Sequence, residues 1–270
     1  MNNFVIDRKF GREAFGIDPG GYHAARPAYP DWVFEMLRER HCLGQGMSAF
    51  EVGAGTGTAT SRLLELGADP LVAIEPDNRM AAFLRRTLPD KKLTVITSTF
   101  EDVSLIEKSF DFGFSATAFH WLNEDAALLK AARLLRPGGW WGMVWNVFSN
   151  PNRSDPFHEA TKSLLEGPVS PADVTGNIPF PIDEQARIAA MERTGAFLGV
   201  EHLISEWSLI LDPKQTVALY STYSNISIRE DREIILTELG RIAREQFKGK
   251  VTRNMMTSLY IAQRKSDLLL

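Results

Sequence analysis

Between residues 47 and 147, short apolar runs alternate with stretches of helical period. Met47–Val52, Leu71–Ile74, Leu93–Ile96, Phe110–Ser115 and Trp140–Val147 read as five buried strands. Helices are predicted from Asp31, with Trp32, Val33, Phe34, Met36 and Leu37 apolar, over Thr58–Leu66, over Asn78–Leu88 and over Glu124–Leu135. Gly67 and the run Pro137-Gly138-Gly139 stop two of them. Strands separated by helices predict an α/β fold, a doubly wound, mostly parallel sheet covered on both faces.

The rhythm breaks near residue 150. Residues 155–166 and 184–194 read as helices, and residues 167–183 carry four prolines and no apolar period. Val200–Leu211 and Val251–Ala262 read as long strands, separated by a helix over 229–247 whose Ile235, Leu239, Ile242 and Ala243 share a face. The expected organisation is one domain over 1–270. It holds a cofactor-binding core at 30–148 and helical cap inserts at 150–197 and 212–248.

Composition changes this picture little. The chain has 270 residues, a net charge of −4 and 44% hydrophobic residues, ordinary values for a soluble globule. Mild acidity offers no electrostatic footprint for nucleic acid or an anionic membrane, so neither is expected as a partner. Oligomeric state leaves no trace in the pattern. The single Cys42 excludes an intramolecular disulfide and a cysteine zinc cage, and the histidines show no metal spacing. The first sixteen residues lack the apolar core of a secretory signal, so a cytoplasmic setting is expected.

Candidate chemistry sits at the end of the first strand, in Glu51-Val52-Gly53-Ala54-Gly55-Thr56-Gly57. Glycines there allow positive φ and close approach of a ligand, and the following helix N-terminus offers free N–H groups. Glu75 ends the second strand, where a carboxylate can accept both hydroxyls of a ribose. Together they read as a nucleoside site. A dinucleotide fingerprint requires a small third residue, and the two possible registers place Thr58 or Thr60 there. A phosphate-binding lysine loop and a serine nucleophile elbow are also absent from the sequence.

The glycine run resembles the first motif of class I S-adenosylmethionine-dependent methyltransferases. Ile74–Met80 resembles their acidic second motif, and Leu134–Gly139 the turn before their fifth strand. Ser115–Trp121 and Arg26–Pro30 are similar to segments of a small-molecule branch like trans-aconitate methyltransferase. The resemblance implies a seven-stranded, Rossmann-like sheet with one antiparallel strand and S-adenosyl-L-methionine as cofactor. It implies Gly53, Gly55 and Gly57 at the methionine end and Glu75 at the ribose. Phe100 and Glu101 would stand by the adenine, since Thr99 replaces the family's usual aspartate. Tyr22 and Arg26 would fold over the cofactor, Arg26 at its carboxylate.

His120 follows the fourth strand, whose end would border the transferring methyl, as either a base or a positioning group. Trp121 would wall the substrate side. Trp140, Trp141 and Trp145 read as core. The expected reaction is methyl transfer to an oxygen of a small acceptor, carboxylate or hydroxyl. A nicotinamide-dependent oxidoreductase and a non-catalytic S-adenosylmethionine-binding protein are the alternatives.

Overall fold

The computed structural model describes residues 4–8, 12, 14–173 and 178–266. Residues 174–177 of the proline-rich excursion lie outside this set. Seven strands form one sheet: β1 (Ala49–Val52), β2 (Leu71–Glu75), β3 (Leu93–Thr97), β4 (Phe110–Ala116), β5 (Leu135–Val147), β6 (Phe197–Leu211) and β7 (Val251–Arg264). Their order is β3-β2-β1-β4-β5-β7-β6. The first five run parallel, and β7 is antiparallel to both β5 and β6. The order reverses between β1 and β4, so a crevice opens at their C-terminal ends, where ligands of such sheets bind.

Alternating side chains send two cores to opposite faces. Phe50, Trp141, Met143, Trp145 and Tyr260 fill one, against helix Glu124–Leu134. Phe112, Phe114, Val144 and Leu259 fill the other, against helices Asp31–Glu39 and Thr58–Glu65. In chain order the helices are α1 (Pro19–Ala25), α2 (Asp31–Glu39), α3 (Thr58–Glu65), α4 (Asn78–Thr87), α5 (Glu124–Leu134), α6 (Pro156–Thr161), α7 (Glu184–Arg193), α8 (Pro213–Ser221), α9 (Ser224–Ser227) and α10 (Arg232–Glu245).

A third cluster holds the cap together. Phe157 of α6, Leu219 and Tyr220 of α8, and Ile235, Leu239 and Ile242 of α10 pack around each other. Helix α8 went unread in the sequence, although Asp212 and Gln215 form a capping box at its start.

Two expectations are corrected. The insert 150–197 is not wholly cap. Ala190 and Met191 of α7 join the core of the first sheet face, and Arg187 pairs with Glu124 of α5 at 2.9 Å. Helix α7 is therefore a sheet-covering crossover before β6. The supposed turn Leu134–Gly139 is a bulge within β5. Pairing jumps from Phe110↔Leu135 to Phe112↔Trp140, and Gly138 takes a φ of +79° to absorb the extra residues. No described helix is long and apolar enough to cross a membrane.

Candidate functional site

The glycine loop leaves β1 with three left-handed residues, Gly53 at φ +71°, Gly55 at +57° and Gly57 at +91°. Their uses differ. A Cβ on Gly53 would stand 2.4 Å from that of Ala118, so this glycine lets the β1 and β4 loops meet. A Cβ on Gly57 would stand 2.4 Å from Leu84 Cδ1, so this one seats α3 against α4. Only Gly53 and Gly55 line the cavity that opens here; Gly57 does not.

Glu75 closes the loop from below. Its Oε2 accepts the Gly55 N–H at 2.7 Å, and its Oε1 accepts the Asp77 N–H at 2.9 Å. Each oxygen keeps a second lone pair. Burial pushes the carboxyl up to about 7 against these two amides. Glu51 lies deeper, where burial pushes it up to about 8, and the Thr60 hydroxyl donates to it at 2.6 Å. Thr60 thus fills the place of the third glycine in one register of a dinucleotide fingerprint.

The cavity is lined by Glu75, Phe100, Met80 and Ile74. Tyr22, Phe15 and Arg12 complete it. Phe100 is buried and stacks on Phe50 with ring centres 6.1 Å apart. Glu101 does not line the cavity. Its carboxylate turns to Arg12 at 2.8 Å, and Arg12 also donates to the Trp121 carbonyl at 2.5 Å. The Thr99 hydroxyl is likewise committed, donating to Asp102 at 2.6 Å.

A second, larger cavity shares Phe15, Tyr22, Thr117 and Trp121 with the first. His120, Trp145, Asn146 and Phe148 form its sheet side. Tyr220, Tyr223 and Arg253 come from the cap side, and the excursion contributes Pro168, Val169 and Asp173. Thr117 stands at the junction with a φ of +52°, strained for a β-branched residue. Two bonds hold it there: its N–H reaches Val144 O at 2.7 Å, and the Tyr29 hydroxyl donates to its Oγ1 at 2.8 Å. Helix α1 is tied over the loop by a 3.0 Å contact between His23 Nδ1 and Thr56 Oγ1.

His120 is buried, and the Trp145 indole donates to its Nδ1 at 3.1 Å. The neutral ring therefore carries its proton on Nε2. Burial first, then the nearby charges of Arg26 and Arg8, push its pKa down to about 3. Trp145 is core, as expected, and also reaches the chamber through this bond. Arg26, which the resemblance sets at the cofactor carboxylate, lines the second cavity and not the first. Arg12, Phe15, Tyr223 and Arg253 were not singled out in the sequence. They come from the N-terminal segment, the cap and β7, with no motif to mark them, whereas Thr117 belongs to the Ser115–Trp121 segment. Among the described residues, no cluster of three His, Cys, Asp or Glu side chains is placed to hold a metal.

Residues 50–142 match a family model described as a methyltransferase domain. An uncharacterised methyltransferase of Mycobacterium tuberculosis is 37% identical over 138 residues, covering 50% of this chain and 52% of that protein. One from Schizosaccharomyces pombe is 28% identical over 152 residues, 56% of this chain and 59% of that protein. The chain thus spans about half the length of the curated relatives it matches. A protein from Anaeromyxobacter dehalogenans described as a putative type II methyltransferase superposes with a TM-score of 0.60 at 20% identity, covering 89% of this chain and 97% of that one. A Haemonchus contortus phosphoethanolamine N-methyltransferase, solved with S-adenosylhomocysteine, superposes at 0.57 and 14% identity over 97% of this chain and 61% of that one. The fold is that of Rossmann-like methyltransferases.

Proposed function

We propose that this chain is an S-adenosylmethionine-dependent methyltransferase acting on the oxygen of a small molecule. One observation carries the reading: the cavity of Gly53, Gly55 and Glu75 adjoins a second chamber across Thr117 and Trp121. A cofactor half and an acceptor half would meet at that junction. The residues fit the cofactor. The two spare lone pairs of Glu75 suit the ribose hydroxyls, and Phe100 offers an apolar wall for the base. When bound, S-adenosylmethionine supplies an electrophilic methyl group. The chain's part is to align the acceptor and exclude water, which carries much of the barrier reduction in such a displacement. Phe15 and Trp121, edge to face at 5.8 Å, wall the junction. The likeness to the trans-aconitate branch rests on Arg26–Pro30 and Ser115–Trp121, and His120 and Arg26 of these segments reach the second chamber.

Calorimetry tests the reading. S-adenosylmethionine and S-adenosylhomocysteine should bind in the micromolar range, and NAD and NADP should not. Tight dinucleotide binding without an S-adenosyl ligand would replace the reading with an oxidoreductase. Binding without transfer of a labelled methyl group to any compound of a metabolite extract would leave a non-catalytic binder.

His120 acts as a positioning residue in this reading. Its Nδ1 already accepts the indole proton, and burial keeps the ring neutral, so it donates from Nε2 and takes no proton. Losing one such hydrogen bond costs about 0.5–1.5 kcal/mol, roughly two- to tenfold in kcat/KM. His120→Asn should retain more activity than His120→Ala, with the pH profile from 5.5 to 9 unchanged in shape. A joint fall of about 10²–10⁴, with loss of an ascending limb, would make it a base instead.

A further inference from the structure

We infer that Arg26 forms a carboxylate-binding subsite in the second chamber, so that the acceptor is a carboxylic acid held by that group. The inference rests on the methyltransferase reading only for the word acceptor; the subsite itself stands on the chamber.

The Arg26 guanidinium is half-buried and held along one edge. Its Nε donates to Thr222 Oγ1 at 2.8 Å and its Nη2 to the Thr222 carbonyl at 2.9 Å. The Thr222 hydroxyl spends its own proton on the Leu219 carbonyl, so its oxygen is left as an acceptor for Arg26. Three rings surround the group, with the guanidinium carbon 5.2 Å from the centre of Tyr22 and 5.1 Å from those of Phe148 and Tyr223. All three rings line the chamber. This collar fixes the plane of the fork and strips water from its faces. Nη1 and the second Nη2 hydrogen remain, an end-on pair of donors that matches a carboxylate.

No carboxylate among the described residues pairs with Arg26. The other cations of the chamber are already met. Arg253 holds Asp155 at 2.6 Å and the Phe148 carbonyl at 2.7 Å, and Lys162 holds Glu159 at 2.8 Å. Glu166 and Asp173 also line the chamber, and neither bonds Arg26. One unmet positive charge with one free fork suits a carboxylate. A phosphate dianion would find no second free cation.

The test uses matched acids and their uncharged amides: benzoate, phenylacetate, indole-3-acetate and hexanoate against benzamide, phenylacetamide, indole-3-acetamide and hexanamide. Each is titrated into protein saturated with S-adenosylhomocysteine near neutral pH. At least one acid should bind about tenfold or more tighter than its amide, the scale of one charge-assisted hydrogen bond. Arg26→Gln should bring that acid down to its amide. Arg26→Lys, which keeps the charge and loses the fork, should fall between. Affinity for S-adenosylhomocysteine should stay within about twofold in both variants. Equal binding of acid and amide, no acid binding at all, or a preference that survives Arg26→Gln overturns the inference. So does a parallel loss of S-adenosylhomocysteine, which would return Arg26 to the cofactor. If the parent protein ignores S-adenosylhomocysteine, the methyltransferase reading fails, and the same titrations on the free protein still decide the subsite.

Discussion

Glu75→Ala will weaken S-adenosylhomocysteine binding by about 1.5–3 kcal/mol, the scale of hydrogen bonds to a charged acceptor. The carboxylate sits where two amides already orient it, Gly55 and Asp77, and its spare lone pairs face the cavity. Removing it takes away both ribose acceptors and leaves the two N–H groups to water. The parent protein should show a matching pH dependence. Burial holds the free carboxyl near 7, well above its ordinary value of 4.5. A ribose donating two hydrogen bonds favours the charged form, so binding below pH 7 must expel a proton. Affinity therefore rises with pH up to about 7 and levels off above it. At pH 5.5 the dissociation constant should be roughly thirtyfold higher than at pH 8, with proton release visible in buffers of different ionisation heat. The sign for stability is opposite. The folded pKa lies above the unfolded one, so Glu75 supports the ligand-free fold fully below about 4.5 and that support is lost as pH rises through 7. Flat affinity from pH 5.5 to 8, or an alanine variant within twofold of the parent, would place the ribose elsewhere.

The glycine-loop cavity was legible because its signals are local. Gly53, Gly55 and Glu75 lie within 23 consecutive positions, and strand, glycine loop and helix follow each other without interruption. Gly57 shows the limit of such reading. Its left-handed turn is part of the same motif, yet the structure uses it to seat Leu84, a packing relation no loop pattern encodes. Glu101 shows another. Nothing near it in the chain announces Arg12, 89 positions away, which takes its carboxylate. The second chamber is built largely from such distant pairs. Arg26 is fixed by Thr222 across 196 positions, and His120 by Trp145 through an indole that otherwise reads as core. Composition and period describe neighbours along the chain, and these partners are neighbours only in the folded sheet and cap. The same holds for α7, whose pattern resembles that of the cap helices; its place on the sheet follows from Arg187 meeting Glu124.

Arg253→Met will destabilise the protein by about 3–5 kcal/mol, the cost of breaking a buried ion pair by removing one partner. Arg253 is 2% exposed on β7 and ties two cap elements to the sheet. Its Nε holds Asp155, its Nη2 holds the Phe148 carbonyl at the end of β5, and its Nη1 holds the Tyr220 hydroxyl of α8. Asp155 also caps α6 by accepting the His158 N–H at 2.9 Å. Without Arg253 its carboxylate is left with little water and no counter-charge, so the loss exceeds that of the bonds themselves. Adding Asp155→Asn to the variant tests this division. The amide oxygen can still cap α6 and carries no charge, so the double variant should recover more than about 1 kcal/mol of the single variant's loss in urea unfolding. The damage should also be local. Hydrogen exchange should quicken in α6, α8 and α10, which share one core, before it does in α3 and α4 beside the glycine loop. S-adenosylhomocysteine should still bind, because Gly53 and Gly55 follow β1 and Glu75 ends β2, across β4 and β5 from Arg253. A cost below about 1 kcal/mol, or exchange rising equally in both regions, would show that the cap is held by its apolar cluster alone.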